Sequence, residues 1–290
     1  MTEIEFPALF VTADAASNQQ QCYYLNLVRG EYGLLFFAAC LTLVESENPV
    51  FLAIYAFTFV ASLVILAWRA HLRPEQGWYK SRALAESVKT LSWRYAMRAH
   101  PFNDAETAVA TKDFRDTLAS LLRSNKQVGE HLARLDATRP QITTTMSAMR
   151  NSALSDRKAY YLASRITDQK EWYSRKAKVN SLAAKRWQWI GAGCYIVGVM
   201  LVLLHVKFVN VTFPVEPIIV MASAVLGWMQ IKKFNELASA YALTAHEIGL
   251  AETVITDAET EQDFSKAINE VELVFSREHT QWIARQTAGE

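Results

Sequence analysis

Glycine, proline and cysteine are all scarce in this sequence, with ten, seven and three residues among 290. A chain that is poor in glycine and proline and rich in alanine and leucine is typical of helical structure. Cys22, Cys40 and Cys194 are odd in number and form no Cys-x-x-Cys pair, which excludes a disulfide framework and zinc ligands of the usual spacing. We expect all three to be reduced.

The sequence also lacks the motifs that mark common enzymes. It contains no GxGxxG, P-loop, HExxH or GxSxG pattern, and its six histidines never pair at metal-ligand spacing. The net charge is only +1, so no overall basic field points to nucleic acid. We therefore expect a protein that is not an enzyme, with no catalytic residues, no cofactor, no metal site and no nucleic-acid partner.

Four apolar stretches contain no Asp, Glu, Lys or Arg: Tyr32–Val44, Val50–Trp68, Ile190–Val206 and Pro217–Ile231. One charge at the centre of a membrane helix costs about 2.5–3.5 kcal/mol, so four uncharged stretches predict membrane spans. A span needs about 20 residues, and the first and fourth stretches are short. They must extend through flanking residues or thin the bilayer. For the first stretch, a buried core helix or a re-entrant segment is the alternative.

Basic residues flank the two predicted hairpins and are rare in the hairpin loops. The loop Glu45–Pro49 carries none, and the second loop carries only Lys207. The flanking clusters are Arg69, Arg73, Lys80 and Arg82 after the first hairpin, and Arg175, Lys176, Lys178, Lys185 and Arg186 before the second. By the positive-inside rule both loops face away from the cytoplasm, and both termini lie inside.

The segments outside the hairpins read as amphipathic helices. Near the end of the chain one apolar stripe is formed by Phe264, Ile268, Val271, either Val274 or Phe275, Glu278 and Trp282. Such stripes pack either within one bundle or between subunits. We predict an all-α membrane protein with two transmembrane hairpins, four spans in all, and a cytoplasmic helical bundle. A polar segment at 141–156 is interpreted as a linker between two-span halves at 1–140 and 157–290.

Polar and small side chains are few within the predicted spans. They are Tyr55, Thr58 and Ser62 on the second span, Gly191, Tyr195 and Gly198 on the third, and Ser223 and Gly227 on the fourth. One interpretation is close helix packing with hydrogen bonds between helices. The other is that one of these faces lines a pore built by several subunits. Without charges, such a pore would select poorly and could be gated by dewetting.

A juxtamembrane motif precedes the third span. Its members recur at i, i+3, i+4, i+7 and i+11 and so share one helix face: Gln169, Trp172, Tyr173, Lys176 and Asn180. This face could contact the helix that carries Glu278 and Trp282. We interpret it either as an element that couples a cytoplasmic event to the third span, or as a packing and lipid-anchoring face.

The segment Tyr160–Ala192 resembles the SLATT family of two-transmembrane effector domains, which are associated with bacterial nucleotide-second-messenger systems. The matching residues are Tyr161, Leu162, Arg165, Asp168, Gln169, Trp172, Tyr173, Lys176, Ala177 and Asn180. The ending Glu278–Trp282 is similar to the closing helix of that family. The N-terminal half resembles a more divergent member, which makes two such domains in tandem.

The resemblance implies a membrane effector of anti-phage defence in the bacterial inner membrane. Such proteins oligomerise and form a pore or disrupt the membrane, which arrests or kills the infected cell. A nucleotide second messenger, or a partner protein that senses it, would be the trigger. The alternatives are a membrane-tethered scaffold or sensor that recruits a soluble partner through its cytoplasmic helices, and a small transporter or regulator.

Overall fold

The computed structural model describes the backbone of residues 3–132 and 138–287, and their side chains except at 130, 131 and 276–287. The described residues form helices and no strand, which confirms the predicted all-α class. In the N-terminal half the elements are α1 Ala8–Leu41, α2 Pro49–Leu72, α3 Pro74–Ala96, α4 Thr107–Ser124, a 3-10 turn Lys126–Val128 and α5 Gly129–Leu132.

The C-terminal half continues with α6 Thr144–Arg150, α7 Leu154–Tyr161, a π-helical turn Leu162–Thr167, α8 Asp168–Lys207, α9 Val215–Lys232, α10 Phe234–Asp257 and α11 Glu261–Thr287. The helix α7, the π turn and α8 follow one another without a break. The third apolar stretch, Ile190–Val206, therefore lies at the end of one continuous helical run that begins at Leu154.

Local sequence sets the ends of α2. The side chain of Asn48 accepts a hydrogen bond from the Val50 N–H at 2.9 Å, and Pro49 occupies the first helical position. The helix ends at Leu72, and the capping residue Arg73 has a left-handed backbone with φ of 44° and donates its N–H to the Arg69 carbonyl at 2.9 Å. Asn48 and Pro49 therefore fix where α2 begins, and Arg73 makes the sharp turn that follows it.

Three helical segments are long and apolar enough to cross a membrane, and they lie in Pro49–Ala96, Leu154–Lys207 and Val215–Asp257. The predicted first stretch, Tyr32–Val44, is not among them. Its helix α1 ends at Leu41, and the turns just before the stretch bring in Asn26, Arg29 and Glu31. These polar side chains lower the mean hydropathy over the length that a span requires.

The chain divides into two compact units. The polar unit comprises residues 1–21, 75–174 and 242–290, and the apolar unit comprises 22–74 and 175–241. The predicted apolar stripe of α11 is confirmed as part of the core of the polar unit, because Phe264, Ile268, Val271 and Phe275 are at most 3% exposed.

The polar segment at 141–156 is folded rather than extended. It contains α6, whose Thr143 hydroxyl caps the helix by accepting from the Met146 N–H at 3.2 Å. Met146 and Arg150 are fully buried. The division of the chain into 1–140, 141–156 and 157–290 stays a prediction.

Candidate functional site

Three arginines on consecutive elements of the polar unit have buried side chains. Arg150, Arg157 and Arg165 are at most 2% exposed, although arginine is rarely buried without partners. Arg150 donates to the carbonyls of Tyr95 and Phe102 at 2.9 and 2.8 Å. These bonds connect α6 to the end of α3 and the segment that follows it.

Arg157 makes a second connection of the same kind. It donates to the carbonyl of Met97 at 2.8 Å and forms an ion pair with Glu261 at the start of α11. Guanidinium groups suit this use because they carry five donors in a fixed plane and remain charged. The N-terminal ends of α7 and α11 and the C-terminal end of α3 are therefore joined by one side chain.

A two-point ion pair joins the π turn to α11. Arg165 donates to both carboxylate oxygens of Glu272, from Nε at 2.9 Å and from Nη2 at 2.8 Å. The Tyr161 hydroxyl donates to the same carboxylate at 2.8 Å. The guanidinium also lies 4.2 Å from the ring centroid of Phe275. Two-point arginine–carboxylate pairs fix orientation as well as distance.

The two neighbours of Glu272 have shifted pKa values. Burial raises the pKa of Tyr161 well above its usual value, and the adjacent Glu272 charge acts in the same direction. Burial opposes the charge on Arg165, but the charge and hydrogen bonds of Glu272 outweigh it, so the pKa of Arg165 is raised. At neutral pH the site therefore holds a neutral phenol and a charged guanidinium.

The π turn at 162–167 determines which side chains face the core at this point. Arg165 and Ile166 are consecutive and both buried. A π turn adds one residue to a helical repeat and is often found at functional sites. The Thr167 hydroxyl donates to the Leu162 carbonyl at 3.0 Å, five residues back, and so binds an acceptor within the widened turn.

The juxtamembrane motif lies in the first turns of α8. Tyr173 is 2% exposed, and its ring meets that of Trp172 edge-on at a centroid distance of 4.9 Å. Gln169 and Asn180 are half-buried and bond within their own helix, Gln169 to Asp168 and Asn180 to the carbonyl of Lys176. The five predicted residues thus range from buried to exposed, with Lys176 exposed. The side chains of Glu278 and Trp282 lie outside the described residues.

The polar stripe on α2 lies partly inside the apolar unit. Thr58 and Ser62 are buried, at 4% and 8% exposure, and Tyr55 is half-buried. The Thr58 hydroxyl donates to the Tyr55 carbonyl at 2.7 Å, and the Ser62 hydroxyl to the Thr58 carbonyl at 3.0 Å. These hydroxyls bond to their own helix, so their buried polar atoms are satisfied without a partner helix.

Small residues on α8 and α9 allow close approach of neighbouring helices. A methyl group at Gly191 would lie 3.5 Å from Val225, and one at Gly198 would lie 3.6 Å from Ile218, so both glycines face α9. At Gly227 it would lie 2.2 Å from the Tyr32 hydroxyl, which presses onto α9 from α1. Tyr195, by contrast, is 55% exposed and lies away from these contacts.

A cavity of about 390 Å³ brings two of the predicted residues together. Tyr55 of α2 and Ser223 of α9 both line it, with Tyr32 of α1, Thr42 in the turn after α1 and Glu216 at the start of α9. The cavity belongs wholly to the apolar unit. Among the described residues, no group of three or more His, Cys, Asp or Glu side chains could hold a metal ion.

Sequence reasoning missed the buried ion pairs, although part of the signal was present. Tyr161 and Arg165 belong to the motif that carries the family resemblance. Glu272 lies four residues after Ile268 and three before Phe275, so its position on the apolar stripe of α11 was readable from spacing. An acid on an apolar face requires a buried cation, and that requirement could have identified the pair.

Comparison with known protein families gives two adjacent matches. The model for SMODS and SLOG-associating 2TM effector domain 3 matches residues 7–158, and that for domain 1 of the same series matches residues 161–282. Neither a comparison with curated proteins nor one with solved structures gives a match. The chain therefore belongs to the SLATT family of two-transmembrane effector domains and carries two of them in tandem across residues 7–282.

Proposed function

We propose that this tandem SLATT protein is a defence effector that oligomerises in the bacterial inner membrane and permeabilises it, arresting or killing the infected cell. The observation that carries the proposal is the outward apolar surface of the apolar unit. In the most apolar 18-residue segment of each of the helical runs Pro49–Ala96 and Leu154–Lys207, only 11% of the residues are buried. Exposed side chains such as Phe57 and Val199, at 68% and 61%, need lipid or another subunit around them.

We include a fourth span, formed by the end of α1. Phe36 and Phe37 are exposed there, at 38% and 48%. Glu31, the nearest charged residue, pairs with Arg69 of α2 at 3.0 Å, which lowers the cost of its approach to the membrane. Four spans form two hairpins, and the distribution of Lys and Arg supports cytoplasmic termini and a cytoplasmic polar unit.

Contacts within the apolar unit support a pore between subunits rather than inside one chain. The hydroxyls of Thr58 and Ser62 are buried against their own helix, and Gly191 and Gly198 are covered by α9. The exposed Tyr195 face of α8 is open to another copy. Because these surfaces carry no charge, a pore lined by them would pass ions with little selectivity.

The proposed trigger is a nucleotide second messenger, or a protein that senses one, acting on the polar unit. The buried pair of Arg165 and Glu272 and the motif from Gln169 to Asn180 lie at the beginning of the helical run that continues to Lys207. A single helix without an interruption after Thr167 is a suitable element for transmitting movement to a span. The protein would then act without catalysing a reaction.

The test is controlled expression in a bacterial host, with membrane potential, dye entry and growth recorded in the same culture. We expect the potential to fall before growth stops. Growth arrest with the potential intact would reject permeabilisation. Depolarisation only in the presence of a co-expressed soluble partner would identify that partner as the trigger. Growth arrest that needs the partner and leaves the potential intact would favour the membrane-tethered scaffold.

A further inference from the structure

The cavity of the apolar unit has the shape of a groove with one polar end. Its walls include Leu35, Ala38, Phe59, Val220 and Ala224. The lining follows α1 from Tyr32 and reaches Thr42 in the turn just after it, which at about 1.5 Å per residue corresponds to roughly 15 Å. The volume of about 390 Å³ lies within the range of about 300–1,000 Å³ that small-molecule sites have.

The two ends of the groove differ in chemistry. Tyr32 packs against Gly227, one turn beyond the last α9 residue of the lining, so the Tyr32 end lies away from Glu216. Glu216 is exposed at the start of α9 and supplies the carboxylate of the groove. No Lys or Arg is among the described residues that line it. The groove therefore combines a long apolar wall with one negative end.

We propose that this groove binds one acyl chain of a bilayer phospholipid whose head group carries an ammonium ion, with that ammonium paired to Glu216. Phosphatidylethanolamine fits, because its ammonium can both pair with and donate hydrogen bonds to the carboxylate. Phosphatidylglycerol has no ammonium and carries a net negative charge, which Glu216 repels. The binding site rests on the proposed membrane placement and does not require pore formation.

The test is native mass spectrometry of the purified full chain, released from detergent containing equimolar phosphatidylethanolamine and phosphatidylglycerol. We expect the first lipid to be retained about threefold more often than the second, the ratio that an exposed ion pair supplies. Glu216→Gln should bring the ratio close to one. Glu45→Gln removes an acid from the α1–α2 loop, outside the groove, and should leave the ratio unchanged.

A second variant tests the groove itself. Ser223→Leu adds apolar volume inside the cavity and should reduce the amount of retained lipid, and Ala224→Val should act in the same direction. Equal retention of the two lipids by the unaltered protein, or full retention by both groove variants, would overturn the proposal. Depolarisation of cells is a separate readout, so a protein that binds this lipid without depolarising cells would refute only the proposed function.

Discussion

Arg165 and Glu272 meet in a two-point ion pair in which both side chains are at most 2% exposed. Its two bonds measure 2.9 and 2.8 Å and join the π turn before α8 to the middle of α11. A buried pair of this kind is costly to desolvate, so its main effect is to fix how the two helices align. In this alignment the Tyr161 hydroxyl donates to Glu272, and the rings of Phe275 and Trp93 lie beside the Arg165 guanidinium.

Breaking the pair should destabilise the protein strongly. Arg165→Met leaves Glu272 buried and charged without its cation, so we expect the free energy of unfolding to fall by about 3–5 kcal/mol. Combining it with Glu272→Leu should restore much of the loss, because no uncompensated charge remains. Thermal unfolding in detergent measures both. The exposed pair of Lys170 and Glu252, also at 2.8 Å, is the control, and Lys170→Met should cost at most about 1 kcal/mol.

Substitution of Lys176 tests whether the juxtamembrane motif couples a cytoplasmic event to the third span or serves only for packing. It is exposed on α8, so Lys176→Gln should change stability by less than about 0.5 kcal/mol. If the motif couples, dye entry in expressing cells should slow about fivefold or more at equal protein level, because coupling between sites is worth about 1–3 kcal/mol. Lys178→Gln, on a different face of the same helix, should have no effect. Equal dye entry in both variants would favour the packing interpretation.

Gly227 tests the close approach of α1 to α9. A methyl group there would lie 2.2 Å from the Tyr32 hydroxyl, so Gly227→Ala should lower stability by about 1–3 kcal/mol through overpacking. Adding Tyr32→Phe removes that hydroxyl and should recover part of the loss. Gly193→Ala is the matched control, because no heavy atom lies within 4 Å of its added methyl. Similar melting temperatures for the two alanine variants would contradict this contact.

The membrane topology can be tested by cysteine labelling after the three native cysteines are replaced by serine. Glu47→Cys and Asn210→Cys place single thiols in the two hairpin loops, at exposed positions. We expect both to react with a membrane-impermeant maleimide added outside spheroplasts. Ser120→Cys on α4 should react only after lysis. Labelling of either loop solely after lysis would contradict the predicted placement of that loop outside the cytoplasm.

The helices and their apolar faces were predictable because they follow from local pattern. Uncharged length marks the candidate spans in α2, α8 and α9, and the spacing of Phe264, Ile268 and Val271 marks the inner face of α11. These features depend on residues three and four apart, which are neighbours on any helix.

The buried arginines were not predictable in the same way. Arg165 and Glu272 are 107 residues apart in the chain, and the π turn shifts the helical register just where Arg165 occurs. Arg150 donates its hydrogen bonds to the backbone carbonyls of Tyr95, Phe102 and Asp104, and carbonyls leave no trace in sequence. Ion pairs between distant elements can be identified only from the folded structure. The same holds for hydrogen bonds to backbone carbonyls, because every residue carries one.

The most direct test of a permeabilising effector uses purified protein in liposomes that contain a self-quenched dye, at increasing ratios of protein to lipid. Vesicle flotation in the same samples measures insertion. We expect the protein to float with the vesicles and dye release to rise more steeply than in proportion to protein, as subunits assemble. At the highest ratios mass action should assemble the subunits without the trigger. Full flotation with no release at any ratio would therefore contradict a pore and leave only a membrane-anchored helical protein.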